Sequence, residues 1–156
     1  MRWNDDYYEV RIYSPFIPRY RVSTGYRGLQ FSDIEIKHLA LAFIIMVIVF
    51  DLYFSGGIAK PSIMLAFLPI SVVAVLTGFI FHELGHKYMA QRFGFWSEFR
   101  AFPTFLILSL VFAIFGFILA APGVVLVRGY GITREENGKI SLAGPMANFI
   151  VAALIF

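Results

Sequence analysis

Long apolar runs separated by short polar stretches dominate the chain. Residues 39–54, 63–81 and 104–123 are almost wholly apolar, and the 19 residues of 63–81 carry no charge. The first run, counted from His38, is 17 residues long. About 17 to 25 apolar residues are needed to cross the hydrocarbon core of a bilayer as a helix. The pattern therefore predicts an all-α membrane protein, a polytopic helix bundle.

Local signals indicate where the first two helices begin and end. Ser32 with Glu35 three residues later forms a capping-box pattern, which predicts a helix start near Asp33. Gly94 follows the second apolar segment and suits the position just past a helix end.

Shorter segments predict a minor β component. Residues 1–31 alternate in pieces such as "YYEVRIY" and are broken by prolines and glycines, which indicates a surface segment with one or two short strands. Residues 123–142 predict a strand, a polar turn around 135–138 and a second strand, giving a small β-hairpin or edge strand.

The last apolar stretch is short. Gly144 followed by Pro145 predicts a new helix with proline in its first turn, and only 11 residues follow to Phe156. We expect the chain to end partway along that helix, so residues 32–156 are interpreted as a membrane core that is incomplete at its C-terminus.

Composition narrows the class of protein. The chain is 59% hydrophobic and 15% charged, too few polar residues to cover a soluble domain of 156 residues. The net charge is +3, but the basic residues flank apolar runs, which favours contact with a lipid bilayer and not with nucleic acid. The absence of cysteine excludes disulfides and thiolate metal ligands.

The segment "FHELGHKYMAQRFG" carries the candidate chemistry. His82 and His86 are spaced i, i+4, so a helix presents both on one face, where two neutral imidazoles can bind Zn²⁺. Glu83 lies beside them as a candidate general base, which is its role in the H-E-x-x-H signature of zinc hydrolases. The alternative is a pair of core histidines hydrogen-bonded to their neighbours. Ionisable groups are costly in a membrane and usually functional there. Gly85, between the histidines, would allow another segment to approach closely.

"HELGHKYMAQRFG" followed by "SLAGPMANFIVAAL" resembles the site-2 protease family of intramembrane zinc metalloproteases, most closely its archaeal members. The resemblance covers about residues 32–156. It implies hydrolysis of peptide bonds in transmembrane protein substrates. It also implies that His82 and His86 bind zinc and that Glu83 acts as the general base.

The resemblance extends to two further regions. Residues 121–127 resemble an extended strand beside the active site, which implies that Val124, Val125 and Leu126 bind an unwound substrate. Asn148 matches a frequent position in the Gly-Pro helix, where packing or a helix–helix hydrogen bond is the expected role.

The third zinc ligand is where this sequence departs from the family. The resemblance implies an Asp from a later Asp-Gly segment, which we expect beyond Phe156. Asp51 is predicted at the far end of the first helix, away from the histidines. Glu98 suits a solvated turn, and His38 suits a membrane edge. We therefore expect none of these three to be the ligand.

Other functions remain open at this stage. The main alternative is a catalytically inactive homologue or structural membrane subunit that retains the fold. A membrane-anchored protease with a cytosolic site would need a soluble region around the motif, and residues 63–81 are lipid-like instead. A transporter would need paired interrupted helices. The sequence identifies neither the substrate nor the oligomeric state.

Residues 104–121 could span the membrane or re-enter it. A full span places nine Lys and Arg residues on the side of the N-terminus and four on the other, whereas a re-entrant hairpin gives twelve and one. The positive-inside rule favours the hairpin. We therefore predict a multi-pass protein with a cytoplasmic N-terminus, Arg100 and Arg134 on the same side, and the active site near the cytoplasmic face.

Overall fold

The computed structural model describes residues 7–8, 22–23, 29–56, 61–129 and 131–155. Its helices are α1 (Asp33–Phe54), α2 (Pro61–Val75), α3 (Phe81–Arg92), α4 (Pro103–Ile114) and α5 (Arg134–Ile155), with a π turn (Leu76–Ile80) joining α2 to α3. Its strands are β1 (Tyr7–Tyr8), β2 (Val22–Ser23), β3 (Trp96–Ala101) and β4 (Gly123–Arg128).

Three helices are long and apolar enough to cross a membrane, namely Asp33–Phe54, the continuous Ser62–Arg92 and Arg134–Ile155. Together with one small sheet beside them, they confirm the predicted helix bundle with a minor β component. Pro69 lies inside α2. Gly94 adopts φ +81° just past the end of α3, in the left-handed conformation that glycine permits, so this end was predicted correctly.

The start of α1 follows half of the predicted capping box. Ser32 is the N-cap, and its Oγ accepts a hydrogen bond from Glu35 N at 3.1 Å. The reciprocal half is wrong, because the Glu35 carboxylate bonds to Lys87 Nζ and to Phe99 N instead. These two donors lie inside the protein, and a buried charged donor needs a carboxylate more than an exposed helix end does.

The third apolar run folds back on itself. Helix α4 ends at Ile114, and the chain reverses at Gly116, which has φ +79°. The returning segment is held by a hydrogen bond from Ser109 Oγ to Leu119 O. Phe102 N then donates to Pro122 O at 2.9 Å, so the two ends of the segment lie side by side.

The sheet beside the bundle differs in part from the prediction. β4 forms where the first strand was expected, but its antiparallel partner is β3, which precedes α4 in the chain. The second predicted strand is wrong, because residues 134–142 belong to α5. Thr133 and Glu136 start this helix with a reciprocal capping box: Glu136 N donates to Thr133 Oγ1, and Thr133 N donates to the Glu136 carboxylate.

The predicted start and length of the last helix were also wrong. Pro145 lies inside α5 and does not start it, and α5 has 22 residues, so it is not too short to span. A proline inside an apolar helix is tolerated where neighbouring groups satisfy the freed backbone carbonyl.

The buried core lies between α1, α4 and β3. Ala42, Met46 and Val49 of α1 pack with Leu106 of α4 in one apolar cluster. Phe79, in the π turn, makes an edge contact with Phe99 of β3 at 5.6 Å between ring centroids. This contact fixes the sheet next to the start of α3. In the predicted N-terminal segment 1–31, β1 pairs antiparallel with β2. Residues 1–6, 9–21 and 24–28 of that segment lie outside the described residues.

Candidate metal site

The two motif histidines converge on one face of α3. Nε2 of His82 lies 3.1 Å from Nε2 of His86. The helix produces this approach, because residues four apart lie one turn apart on the same face. At this distance one neutral ring can donate a hydrogen bond to the other, or both rings can direct their lone pairs to one cation.

Helix α5 covers the histidine face by direct backbone approach. A Cβ on Gly144 would overlap Nε2 of His86 and lie 2.8 Å from Nε2 of His82. A Cβ on Gly85 would overlap the carbonyl of Ala143 and lie 3.0 Å from the Cβ of Ala147. Small residues on both helices therefore allow contact closer than ordinary side chains permit. Gly85 allows the close approach of another segment that its position in the motif predicted. Gly144 was not predicted as a site residue.

Backbone and amide groups orient both rings. Nδ1 of His86 lies 2.7 Å from Ile140 O, which can only accept, so Nδ1 carries the ring proton and Nε2 presents its lone pair. Asn148 Nδ2 donates to Gly78 O at 3.2 Å and lies 3.3 Å from Nδ1 of His82. Asn148 therefore makes a helix–helix hydrogen bond next to the first histidine.

The hydrogen-bonding capacity of Asn148 is only partly used. Its Oδ1 is buried and has no hydrogen-bond partner among the described residues. Its acceptor, Gly78 O, belongs to the π turn, where Phe81 N bonds back to Leu76 O across five residues. π turns inside helices frequently occur at functional sites. Sequence reasoning missed this turn.

Glu83 occupies the helix turn that carries His82. Within the described part of the chain its carboxylate forms no hydrogen bond and no ion pair, and its side chain is partly buried. Successive residues on a helix are separated by about 100°, which places Glu83 about 60° from the direction of His86. A carboxylate free of other partners can accept a proton near the histidine pair.

The acidic and histidine side chains rejected as third ligands each have partners elsewhere. Asp51 accepts a hydrogen bond from Ser71 Oγ at 3.3 Å. Glu98 pairs with Arg100 at 3.0 Å, and His38 Nδ1 lies 3.3 Å from Ala101 N. Among residues 29–56, 61–129 and 131–155, no third His, Cys, Asp or Glu joins His82 and His86.

The histidine pair fits zinc as two ligands of an incomplete set. Two nitrogens at the usual distance of about 2.0–2.1 Å from a tetrahedral zinc ion are about 3.3 Å apart. The observed Nε2 separation of 3.1 Å is close to that value. A hydrogen bond from Nδ1 to a backbone carbonyl, as His86 makes to Ile140, is the usual support of a metal-binding imidazole.

The predicted substrate strand contacts the helix that carries the histidines. β4 packs against α3, and no described strand pairs with its second edge. Phe99 faces Val125 in the sheet and donates its N–H to a side chain outside the sheet. Val125 therefore belongs to a pair without mutual hydrogen bonds, and its N–H and C=O point to the open edge. Val124 and Leu126 direct theirs to β3.

Comparison with known proteins gives one informative similarity. The chain is 39% identical over 128 residues to a protein of Methanocaldococcus jannaschii named a "putative zinc metalloprotease". The aligned residues are 81% of this chain and 63% of that relative, so the chain spans less than two thirds of the relative's length. No family model matches the chain. No solved structure matches it with significant similarity.

Proposed function

We propose that this chain carries the histidine helix of an intramembrane zinc metalloprotease of the site-2 protease type. The observation that carries the proposal is the convergence of the His82 and His86 Nε2 atoms at 3.1 Å, with Glu83 on the same helix turn. The continuous apolar helix Ser62–Arg92 holds this group, and the name of the similar Methanocaldococcus jannaschii protein supports the same chemistry.

The reaction is hydrolysis of a peptide bond. Zinc, when bound, supplies Lewis-acid activation for this reaction. His82 and His86 hold the metal through Nε2, and the remaining protein ligand comes from outside the described residues. Glu83 accepts a proton from the attacking water and passes it to the amine leaving group, so one water is consumed and a carboxylic acid and an amine are formed.

Substrate binding uses the open edge of β4. A transmembrane helix must unwind before its backbone can be attacked, and a strand edge can hold the unwound segment through main-chain hydrogen bonds. Among the three predicted substrate-binding residues, Val125 offers its N–H and C=O, while Val124 and Leu126 maintain pairing with β3. Val127 lies two residues beyond Val125, so its N–H and C=O also point to the open edge of β4.

The membrane topology completes the proposal. The segment 102–122 leaves from β3 and returns to β4, which suits a re-entrant hairpin. With that hairpin, the positive-inside rule places the N-terminus, Arg100 and Arg134 in the cytoplasm. The histidine helix ends at Arg92 on that same side, so the active site lies near the cytoplasmic face of the bilayer.

Zinc content of the purified full-length protein tests the metal assignment. We expect His82→Ala and His86→Ala each to lower zinc affinity by more than about 100-fold, because loss of a ligand exceeds the 10- to 100-fold cost of losing an outer partner. His38→Ala is the matched control, because His38 is the one histidine of the sequence outside the motif and its Nδ1 accepts a hydrogen bond from Ala101 N of β3. Undiminished zinc in both motif variants would overturn the site.

Turnover tests the protease assignment separately. Glu83→Gln should retain zinc and lower cleavage of a transmembrane substrate by about 10²- to 10⁴-fold, the usual contribution of a general base. A wild-type protein that binds zinc through both histidines and hydrolyses no transmembrane substrate would refute proteolysis and leave a metal-binding membrane protein.

A further inference from the structure

The second edge of the sheet is closed by side chains from outside it. Three residues of β3, at positions 97, 99 and 101, turn backbone groups away from β4, as the alternation of an antiparallel strand requires. Each of these residues has one such group bonded to a side chain of a neighbouring helix: Ser97 O accepts from Lys87 Nζ at 2.8 Å, Phe99 N donates to Glu35 Oε1 at 2.9 Å, and Ala101 N donates to His38 Nδ1 at 3.3 Å.

Two of these capping side chains form a buried ion pair. Glu35 is 1% exposed and Lys87 is 2% exposed, with 2.8 Å between Oε2 and Nζ. The Lys87 ammonium also lies 4.9 Å from the ring centroid of Phe31, and the Glu35 carboxylate uses its other oxygen on β3. Each of the two buried charged groups therefore has the other group and a backbone group of β3 as hydrogen-bonding partners.

The attraction between the two charges is by itself weak evidence of a stabilising role, although their hydrogen bonds also satisfy Ser97 O and Phe99 N of β3. Replacing a buried ion pair by apolar residues of similar size is often neutral or stabilising by about 1–4 kcal/mol, so such pairs are weak evidence of a stabilising role. An unprotected strand edge, in contrast, is a ready template for another extended chain. Here the charges lie against the edge of the sheet that faces away from β4.

We propose that Glu35, His38 and Lys87 form an edge cap, which closes the β3 edge and leaves the β4 edge as the one that can take an extended peptide. Glu35 and Lys87 are then positioning residues, because they direct the peptide to one side of the sheet without touching it. Lys87 follows His86 directly on α3, so the same helix that holds the metal ligands also blocks the wrong edge. This inference rests on the proposed function, since it assigns the side on which substrate is bound.

Single-cysteine cross-linking can compare the two edges, because the chain has no cysteine of its own. When an antiparallel strand adds to an edge, its closest pairs are those that exchange no hydrogen bonds, with about 4.5 Å between Cα atoms. On the existing strand, these pairs involve the residues whose N–H and C=O point away from the incoming strand. Leu126→Cys therefore reports on the β4 edge, and Arg100→Cys reports on the β3 edge. The probe is a short peptide of alternating threonine and valine with a central cysteine, and the readout is disulfide yield in the detergent-solubilised full-length protein.

With the cap intact, we expect Leu126→Cys to cross-link to the peptide at least about tenfold more than Arg100→Cys. The pair of changes Glu35→Leu and Lys87→Met removes two caps while retaining apolar volume. In that background the yield at Arg100→Cys should rise to within about threefold of the yield at Leu126→Cys. The matched control is Glu135→Leu with Lys139→Met, which removes an exposed ion pair of α5 and should change neither yield.

Two results would overturn the cap. One is equal cross-linking at both edges with the cap intact, and the other is no gain at Arg100→Cys in a Glu35→Leu, Lys87→Met protein that folds. If that protein does not fold, His38→Ala opens Ala101 N alone. Faster hydrogen exchange of that amide together with a gain at Arg100→Cys then supports the cap, and an unchanged yield rejects it.

Failure of the cap and failure of the proposed function give different results. If the protease assignment is wrong, zinc binding is insensitive to the motif histidines or transmembrane substrates are not cleaved, whichever edge the peptide prefers. If only the cap is wrong, zinc binding and cleavage follow the motif residues, and the two edges do not respond to Glu35 and Lys87.

Discussion

Gly144→Ala places one methyl group at the point where the two histidines meet. The new Cβ would overlap Nε2 of His86, lie 2.6 Å from its Cε1 and lie 2.8 Å from Nε2 of His82. Retreat of α5 would pull Ala143 away from its close packing against Gly85 of α3, which costs packing contacts. We expect the imidazole rings to move instead, which separates the two Nε2 atoms that are proposed to bind zinc.

The size of the effect follows from the contacts that ring movement breaks. Inserting a methyl group into a packed site usually costs about 1–3 kcal/mol. Rotation of the His86 ring also weakens its 2.7 Å hydrogen bond to Ile140 O, with a net value of about 0.5–1.5 kcal/mol. We expect these two losses, together about 1.5–4.5 kcal/mol, to appear mainly in metal binding, as a rise in the zinc Kd of about 10- to 1,500-fold, since 1.4 kcal/mol corresponds to tenfold.

Competition with a chromogenic zinc chelator in detergent measures this Kd. Gly138→Ala is the control, because it adds the same methyl group to the same helix where nothing lies within 4 Å. That change should leave zinc affinity unaltered and stabilise the protein by about 0.5–1 kcal/mol, as alanine is the better helix former. Wild-type zinc affinity in a folded Gly144→Ala protein would refute the histidine pair as the metal site.

The remaining predictions concern packing, substrate and topology. Gly85→Ala should lower the free energy of unfolding by about 1–3 kcal/mol, because its Cβ meets a backbone carbonyl of α5; an unchanged melting temperature would contradict this. Val125→Pro should keep zinc binding and the pairing of β4 with β3 but weaken cleavage, whereas Leu126→Pro should break that pairing and lower thermal stability. Equal effects of the two changes would contradict the assignment of the Val125 N–H to the open edge and the Leu126 N–H to β3. Single cysteines replacing Arg100 and Arg134 should both be protected from an impermeant reagent on intact cells, and labelling of the second position alone would defeat the hairpin.

The parts of the fold that were predictable depend on local chemistry. Ser32 starts α1 because a hydroxyl can satisfy an unpaired helix N–H, and Gly94 ends α3 because glycine accepts a left-handed conformation. The close approach of His82 and His86 likewise follows from helix geometry at their spacing. Each of these features is decided within about one helical turn, so the sequence contains the information directly.

Two errors have different causes. Residues 139–142 alternate between polar and apolar as a strand does, but the Thr133–Glu136 capping box places a helix start upstream of them. The capping box is visible in the sequence, and it prevails over an alternation of only four residues. The Glu35–Lys87 pair could not be predicted, because it joins residues 52 positions apart whose proximity depends on how α1, α3 and β3 pack.

The π turn Leu76–Ile80 has a consequence for insertions and deletions. A helix that loses a residue from a regular turn rotates everything beyond it by about 100°, which would carry His82 and His86 away from α5. A π turn already contains one residue more than a regular turn, so a deletion there can relax to ordinary α-helix while both flanks keep their directions. The helix can therefore lose a residue in this segment without rotating His82 and His86 away from α5. The change would remove the hydrogen bond that Asn148 donates to the Gly78 carbonyl.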